Sequence, residues 1–160
     1  MTYASTRGTV SGVQFSEAVL KGIAPDGGLF VPEEQVRFDS LEIAEMSEMN
    51  YKDLAKAIFS RYATDFTEAE LDTCVENAYG SKSAFPEAVA PLSYVSDTLS
   101  VLELWHGPTS AFKDMALQIL PHFMRVAAKK TADGNEIVIL VATSGDTGKA
   151  ALEGFRDAPH

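Results

Sequence analysis

Cysteine is nearly absent from this chain: Cys74 stands alone, so no internal disulfide can form. Neither a CxxC pair nor a His-rich spacing offers a metal ligand set, and no metal site is expected. Basic clusters are lacking too. Thirteen Lys and Arg against 23 Asp and Glu leave a formal charge of -10, the wrong sign for neutralising phosphates along a polymer, which excludes nucleic acid as a partner. Long apolar runs are missing as well. No stretch approaches the roughly 20 apolar residues needed to span a bilayer, and residues 1–12 lack the apolar centre of a signal peptide. These absences together predict a soluble protein of a reducing cytoplasm, with no membrane partner. What is present suits a folded chain: 160 residues, 46% hydrophobic and 22% charged, enough for one domain or a small two-part unit without internal repeats.

Up to about Gly80 the pattern predicts short helices joined by polar loops. Residues 16–21 (SEAVLK) begin with Ser and run into Gly22, which reads as a short helix capped at both ends. Pro25, Asp26, Gly27 and Gly28 are turn residues, followed by a brief apolar run that Pro32 closes. From Asn50 onward, Leu54, Ala55, Ile58, Phe59 and Tyr62 fall at helical spacing behind an Asn50/Asp53 capping pair. Thr67 and Glu70 form a capping box ahead of Leu71, Cys74, Val75, Ala78 and Tyr79, which share one face. Cys74 lies on that stripe and reads as core rather than as a reactive thiol.

Beyond Gly80 the periodicity changes. Residues 91–95 and 99–105 flank a polar Ser96–Asp97–Thr98 turn and predict a strand pair. A stretch from about Phe112 to Lys129, apolar nearly all round, predicts a buried helix that Pro121 must kink or break. Residues 137–142 (IVILVA) have the uninterrupted β-branched character of a central parallel strand, and a glycine-bearing turn then leads into another helix. The order strand, helix, strand, glycine loop, helix predicts the beginning of an α/β fold.

Two motifs carry chemistry. In HGPTSAFKD (106–114) a glycine/proline turn delivers Lys113 to the start of the buried helix, between Phe112 and Met115. A helix-start lysine can simply reach solvent or pair with Asp114. An ammonium at the mouth of an apolar pocket, by contrast, favours the neutral amine, a nucleophile toward an aldehyde. In the second motif, Thr143, Ser144, Gly145, Asp146 and Thr147 precede Gly148 between the apolar run and a helix. Free N–H groups and the positive helix end there suit an anion, with Ser144 and Thr147 adding hydroxyls; N-capping by Ser144 is the ordinary alternative. A nucleotide P-loop is excluded by spacing, because Thr143 stands where its first glycine belongs and Ala150 replaces the magnesium-binding hydroxyl. One βαβ unit separates Lys113 from Ser144, which predicts that both lie at the carboxyl edge of the sheet. An amine beside an anion cradle suits a carbonyl cofactor holding an amino acid.

The motifs YASTRG (3–8), FSEAVLKG (15–22), APDGGLFVP (24–32), HGPTSAFKD (106–114) and ATSGDTGKAA (142–151) stand in the order of one family. On them the chain resembles the threonine synthase family, pyridoxal 5'-phosphate enzymes of the tryptophan-synthase-β fold (fold type II). The resemblance implies an α/β fold with a small, mostly helical N-terminal domain over 1–80. The beginning of a cofactor-binding parallel-sheet domain follows over 81–160, cut short because family members are several times longer. It implies that Lys113 carries the cofactor as an internal aldimine, with Phe112 and Asp114 also at the cofactor, and that Thr143, Ser144, Gly145, Asp146 and Thr147 bind the substrate carboxylate. The implied reaction converts O-phospho-L-homoserine and water to L-threonine and phosphate, although the 160 residues by themselves are expected to be inactive and to self-associate into a homo-oligomer. The rival readings are another enzyme of the same fold, such as an amino-acid dehydratase; a non-catalytic threonine-synthase-like protein; and a pure binding or assembly module.

Overall fold

The computed structural model describes residues 1–85, 88–131, 134, 136–143 and 145–158. The chain divides into two units. Unit 1 is Met1–Thr73 with Phe123–Asn135, and unit 2 is Cys74–His122 with Glu136–His160.

In unit 1, strand β1 (Tyr3–Ser5) pairs antiparallel with β2 (Phe30–Pro32), in a register that sets Tyr3 opposite Pro32 and Ser5 opposite Phe30. Tyr3 also bridges Val13, and these two with Ala18 form a small buried cluster under Met1, Val10, Phe15 and Phe30. Helix α1 (Phe15–Lys21) ends as expected: Gly22 adopts φ 65° and its N–H reaches the Ala18 carbonyl. Its start differs from expectation. The N-cap is Gln14, without a side-chain bond, while Ser16 lies buried inside the first turn and its N–H donates to Asp65 Oδ2 at 3.1 Å. A cap contributed from across the unit replaces the local hydroxyl.

Helix α2 (Ser40–Ser47) was not expected, having no buried residue, but an Asp39/Glu42 capping box starts it. Helix α3 (Tyr51–Tyr62) starts at Asn50, whose side chain accepts the Asp53 N–H at 3.1 Å, and helix α4 (Glu68–Tyr79) starts at the Thr67/Glu70 box, both as the spacing predicts. Cys74 is 1% exposed on α4, in the core as expected. Four rings close unit 1: Phe15, Phe59 and Phe66 each meet Phe123 edge-on, with centroids 5.4, 5.0 and 5.8 Å away.

Unit 2 contains the expected hairpin, β3 (Leu92–Ser96) antiparallel to β4 (Leu99–Leu102). The apolar helical stretch is divided into α5 (Asp114–Leu117) and α6 (Leu120–Thr131), which continues into unit 1. Pro121 lies in the first turn of α6, where its missing N–H costs nothing, so the break falls just ahead of it. Helix α7 (Asp146–Gly154) packs on α5, so closely that a Cβ on Gly154 would stand 2.1 Å from the Leu117 carbonyl oxygen.

One expectation is corrected. Residues 137–142 form no strand, and Val138 and Leu140 are 69% and 91% exposed. β-Branched residues favour a strand only where a neighbour supplies ladder bonds and a face to pack against. Among the described residues no segment pairs with this run.

Candidate active site around Lys113

The turn ahead of α5 is built around a buried carboxylate. Asp114 is 0% exposed; its Oδ2 accepts the Thr109 N–H at 2.8 Å and its Oδ1 the Thr109 hydroxyl at 2.7 Å. Both oxygens are thereby satisfied by one residue five positions earlier, as a buried charge requires. Residue 107 must be glycine, because a Cβ there would lie 2.4 Å from the Asp114 Cβ. Ser110 is held at φ 58°, a conformation that residues with a Cβ rarely adopt, and its N–H closes onto the Gly107 carbonyl at 3.1 Å.

This clamp fixes the backbone on which Lys113 sits. Lys113 occupies the N-cap position of α5, and its carbonyl receives the Ala116 and Leu117 N–H groups at 3.1 and 2.9 Å. The alternative in which Lys113 pairs with Asp114 does not occur, since that carboxylate is turned inward to Thr109. Among the described residues no carboxylate pairs with Lys113; its ammonium lies over the ring of Phe112, 4.7 Å from the centroid, and that ring is 60% exposed. A primary amine held by its backbone, with its head outside any ion pair, fits a carbonyl cofactor's requirement for a nucleophile.

Upstream, His106 Nε2 meets Glu103 Oε2 at 2.6 Å, and Glu103 also accepts the Ser93 hydroxyl from β3. The Ser93 hydroxyl, then the His106 ring, hold the Glu103 carboxyl below the usual carboxylate range. Trp105 stacks beside His106 with centroids 5.7 Å apart.

The second motif lies at the start of α7. Thr143, Gly145, Asp146 and Thr147 are exposed, whereas Ser144 lies outside the described residues. The N-cap position falls on Gly145, with no side-chain cap, and the Thr143 hydroxyl accepts the Gly145 N–H at 3.4 Å. Gly148 is buried against the loop, where a Cβ would stand 2.8 Å from Thr143 Cγ2 and 3.0 Å from Val141 Cγ1. The first turn of α7 thus presents N–H groups and exposed hydroxyl-bearing residues outward, an arrangement suited to an anion.

Two contacts join the motifs. Lys149 Nζ donates to the Thr109 carbonyl at 3.0 Å, and Gly154 rests on Leu117 at the end of α5. Sequence reasoning missed the Thr109–Asp114 clamp and the Lys149 bond. The available signals were a Thr after Gly-Pro ahead of a helix whose first residue is Asp, and a lysine left over once the P-loop was excluded. Among the described residues no group of three His, Cys, Asp or Glu is placed to hold a metal, and no helix is long and apolar enough to cross a membrane.

Residues 2–79 match the family model for the threonine synthase N terminus. Over 158 residues the chain is 44% identical to threonine synthase of Pseudomonas aeruginosa, covering 98% of this chain and 33% of that protein. It is 43% identical over 146 residues to the mouse protein named threonine synthase-like 1, covering 88% and 19%. The crystal structure of PLP-bound threonine synthase from Brucella melitensis superposes with a TM-score of 0.88 at 40% identity, over 99% of this chain and 34% of that one. The chain therefore spans about a third of the length of the threonine synthases it matches. From the motif order to the superposed backbone, the chain is similar along its length to the N-terminal third of threonine synthases, and its residues 2–79 carry their N-terminal family model.

Proposed function

We propose that this chain forms the lysine-bearing N-terminal part of a pyridoxal 5'-phosphate-dependent threonine synthase, converting O-phospho-L-homoserine and water to L-threonine and phosphate in the cytoplasm. The observation that carries this reading is the Lys113 amine, anchored by its backbone, unpaired by any carboxylate among the described residues and next to an exposed aromatic ring. Similarity to threonine synthases supports the same reading, as does the PLP bound to the Brucella melitensis relative.

Pyridoxal 5'-phosphate supplies an electron sink for negative charge at the substrate Cα. Lys113 holds the cofactor between turnovers and, once free, takes and returns protons at the substrate Cα and Cβ. Phe112 lies beside the amine and restricts its approach, while Asp114 keeps the turn closed from inside. The loop Thr143, Ser144, Gly145, Asp146 and Thr147 holds the substrate carboxylate at the start of α7, through N–H groups and hydroxyls. The division into an N-terminal domain over 1–80 and the start of the cofactor-binding part over 81–160 is supported by the family model, which ends at residue 79.

The deciding experiment is Lys113→Ala in the enzyme that carries this segment. Borohydride reduction after incubation with pyridoxal 5'-phosphate is expected to fix the cofactor on Lys113 in the parent protein; the variant loses both the adduct and threonine formation. Normal turnover in Lys113→Ala overturns the assignment.

A further inference from the structure

Lys149 has no part in the reaction outlined above, and a P-loop role is excluded by spacing. Its position is nonetheless specific. It lies one turn into α7, next to Gly148, which is pressed against Thr143 and Val141 of the loop. Its ammonium ends on the backbone carbonyl of Thr109 at 3.0 Å, whereas Lys21, Lys56 and Lys130 each reach a carboxylate. Thr109 is the residue whose N–H and hydroxyl hold the buried Asp114, and Asp114 directly follows Lys113. Thr109 is thus gripped from both sides, by Asp114 within the turn and by Lys149 from α7.

Helix α7 has a second attachment at its far end, where Gly154 lies against the Leu117 carbonyl at the end of α5. Five helical steps separate the two attachments, about 7.5 Å at the usual rise. The pair holds the middle and the far end of α7 against the turn and helix that bear the amine. Gly148, Ala150 and Ala151 are buried as well, and the Lys149 bond sets where the start of α7, with the loop on which Gly148 packs, stands against Thr109.

We propose that Lys149 is a positioning residue for Lys113: through the Thr109 carbonyl and the Asp114 clamp it fixes the reactive amine relative to the loop at the start of α7. The proposal rests on the reading of Lys113 as the cofactor-bearing amine. A charge-assisted bond from a long, flexible stem is suited to this, since it aligns a carbonyl without demanding backbone contact between the elements.

The test uses the 160-residue chain and pyridoxal 5'-phosphate as probe. The amine condenses with the aldehyde, losing water, and borohydride delivers hydride to the carbon–nitrogen double bond, leaving a stable secondary amine for peptide mass spectrometry. The readout is labelling of Lys113 relative to Lys129, which is exposed on α6. The parent chain is expected to favour Lys113. Lys149→Met is expected to lower the ratio on the order of threefold or more, a fraction of what a hydrogen bond from a charged group can contribute. Lys149→Arg, which keeps the charged donor, restores it. Lys149→Gln, too short to reach the Thr109 carbonyl, repeats the test should the Met variant not fold. An unchanged ratio in a folded Met or Gln variant, even one of lower melting temperature, overturns the positioning role while leaving Lys113 as the preferred amine. A parent chain that does not favour Lys113 overturns the positioning role, while the Lys113 reading itself is decided by the Lys113→Ala experiment above.

Discussion

The phenol of Tyr3 is 6% exposed in unit 1 and donates to the Tyr62 carbonyl at 2.9 Å. Burial, with smaller contributions from the charges of Asp65 and Tyr62, pushes its pKa up to about 12. The folded state therefore binds this proton more tightly than the unfolded chain, whose phenols titrate near 10. The resulting stability is fully present below pH 10 and disappears as pH rises toward 12. Replacing Tyr3 with Phe is expected to flatten the loss of stability between pH 10 and 12, as read by denaturant unfolding across that range; an unchanged alkaline slope contradicts it. Asp26 shows the opposite shift for the opposite reason. The Ser5 hydroxyl, then the Thr9 hydroxyl, hold its carboxyl well below the usual range, with the Gly28 N–H also donating. That convergence explains the second glycine of the PDGG turn, since a Cβ on Gly28 would lie 2.1 Å from Ser5 Oγ.

Helix α1 depends on a residue that its own sequence does not contain. The Ser16 N–H is capped by Asp65 Oδ2, while Asp65 Oδ1 is buried without a partner. Asp65→Ala removes the cap, which alone costs about 1 kcal/mol, but it also removes the unsatisfied oxygen. The net loss is expected in the lower part of the usual range, roughly 0.5–1 kcal/mol by urea titration; a gain in stability rules the cap out as a stabilising contact. Elements whose determinants are local were legible in the sequence: the Asn50 cap, the Thr67/Glu70 box, the β3–β4 hairpin, the Gly22 stop and the break at Pro121. The Asp39/Glu42 box is equally local, but α2 buries nothing and has a weak apolar stripe, so its periodicity escaped notice. Features set by distant residues were not legible, as the Asp65 cap and the unpaired 137–142 run illustrate. The site divides in the same way: Lys113 and the α7 loop announce themselves by composition, whereas the Thr109–Asp114 clamp and Lys149 depend on how the chain returns.

Across the whole molecule the units are not consecutive in sequence, for the chain leaves unit 1 within α4 and comes back to it within α6 at Phe123. The matched family model ends at residue 79, yet the ring at the centre of unit 1's aromatic cluster lies more than 40 residues further on. A chain cut at residue 80 would lack the partner of Phe15, Phe59 and Phe66 at once, a deletion larger than a core Phe→Ala change of about 3–5 kcal/mol. For a unit this small that is a large share of the typical 5–15 kcal/mol of stability. Residues 1–80 alone are therefore expected to show weak near-ultraviolet dichroism and poorly dispersed aromatic resonances. Adding a peptide of residues 118–131 should restore both, and the same peptide carrying Phe123→Ala should not; a fully ordered 1–80 piece contradicts the expectation. The consequence is one of assembly order. If unit 1 matures only when Phe123 arrives, a ribosome must release the lysine turn at 106–114 before the helices preceding it can settle, so the turn that carries Lys113 is synthesised into a chain whose first half is still waiting to fold.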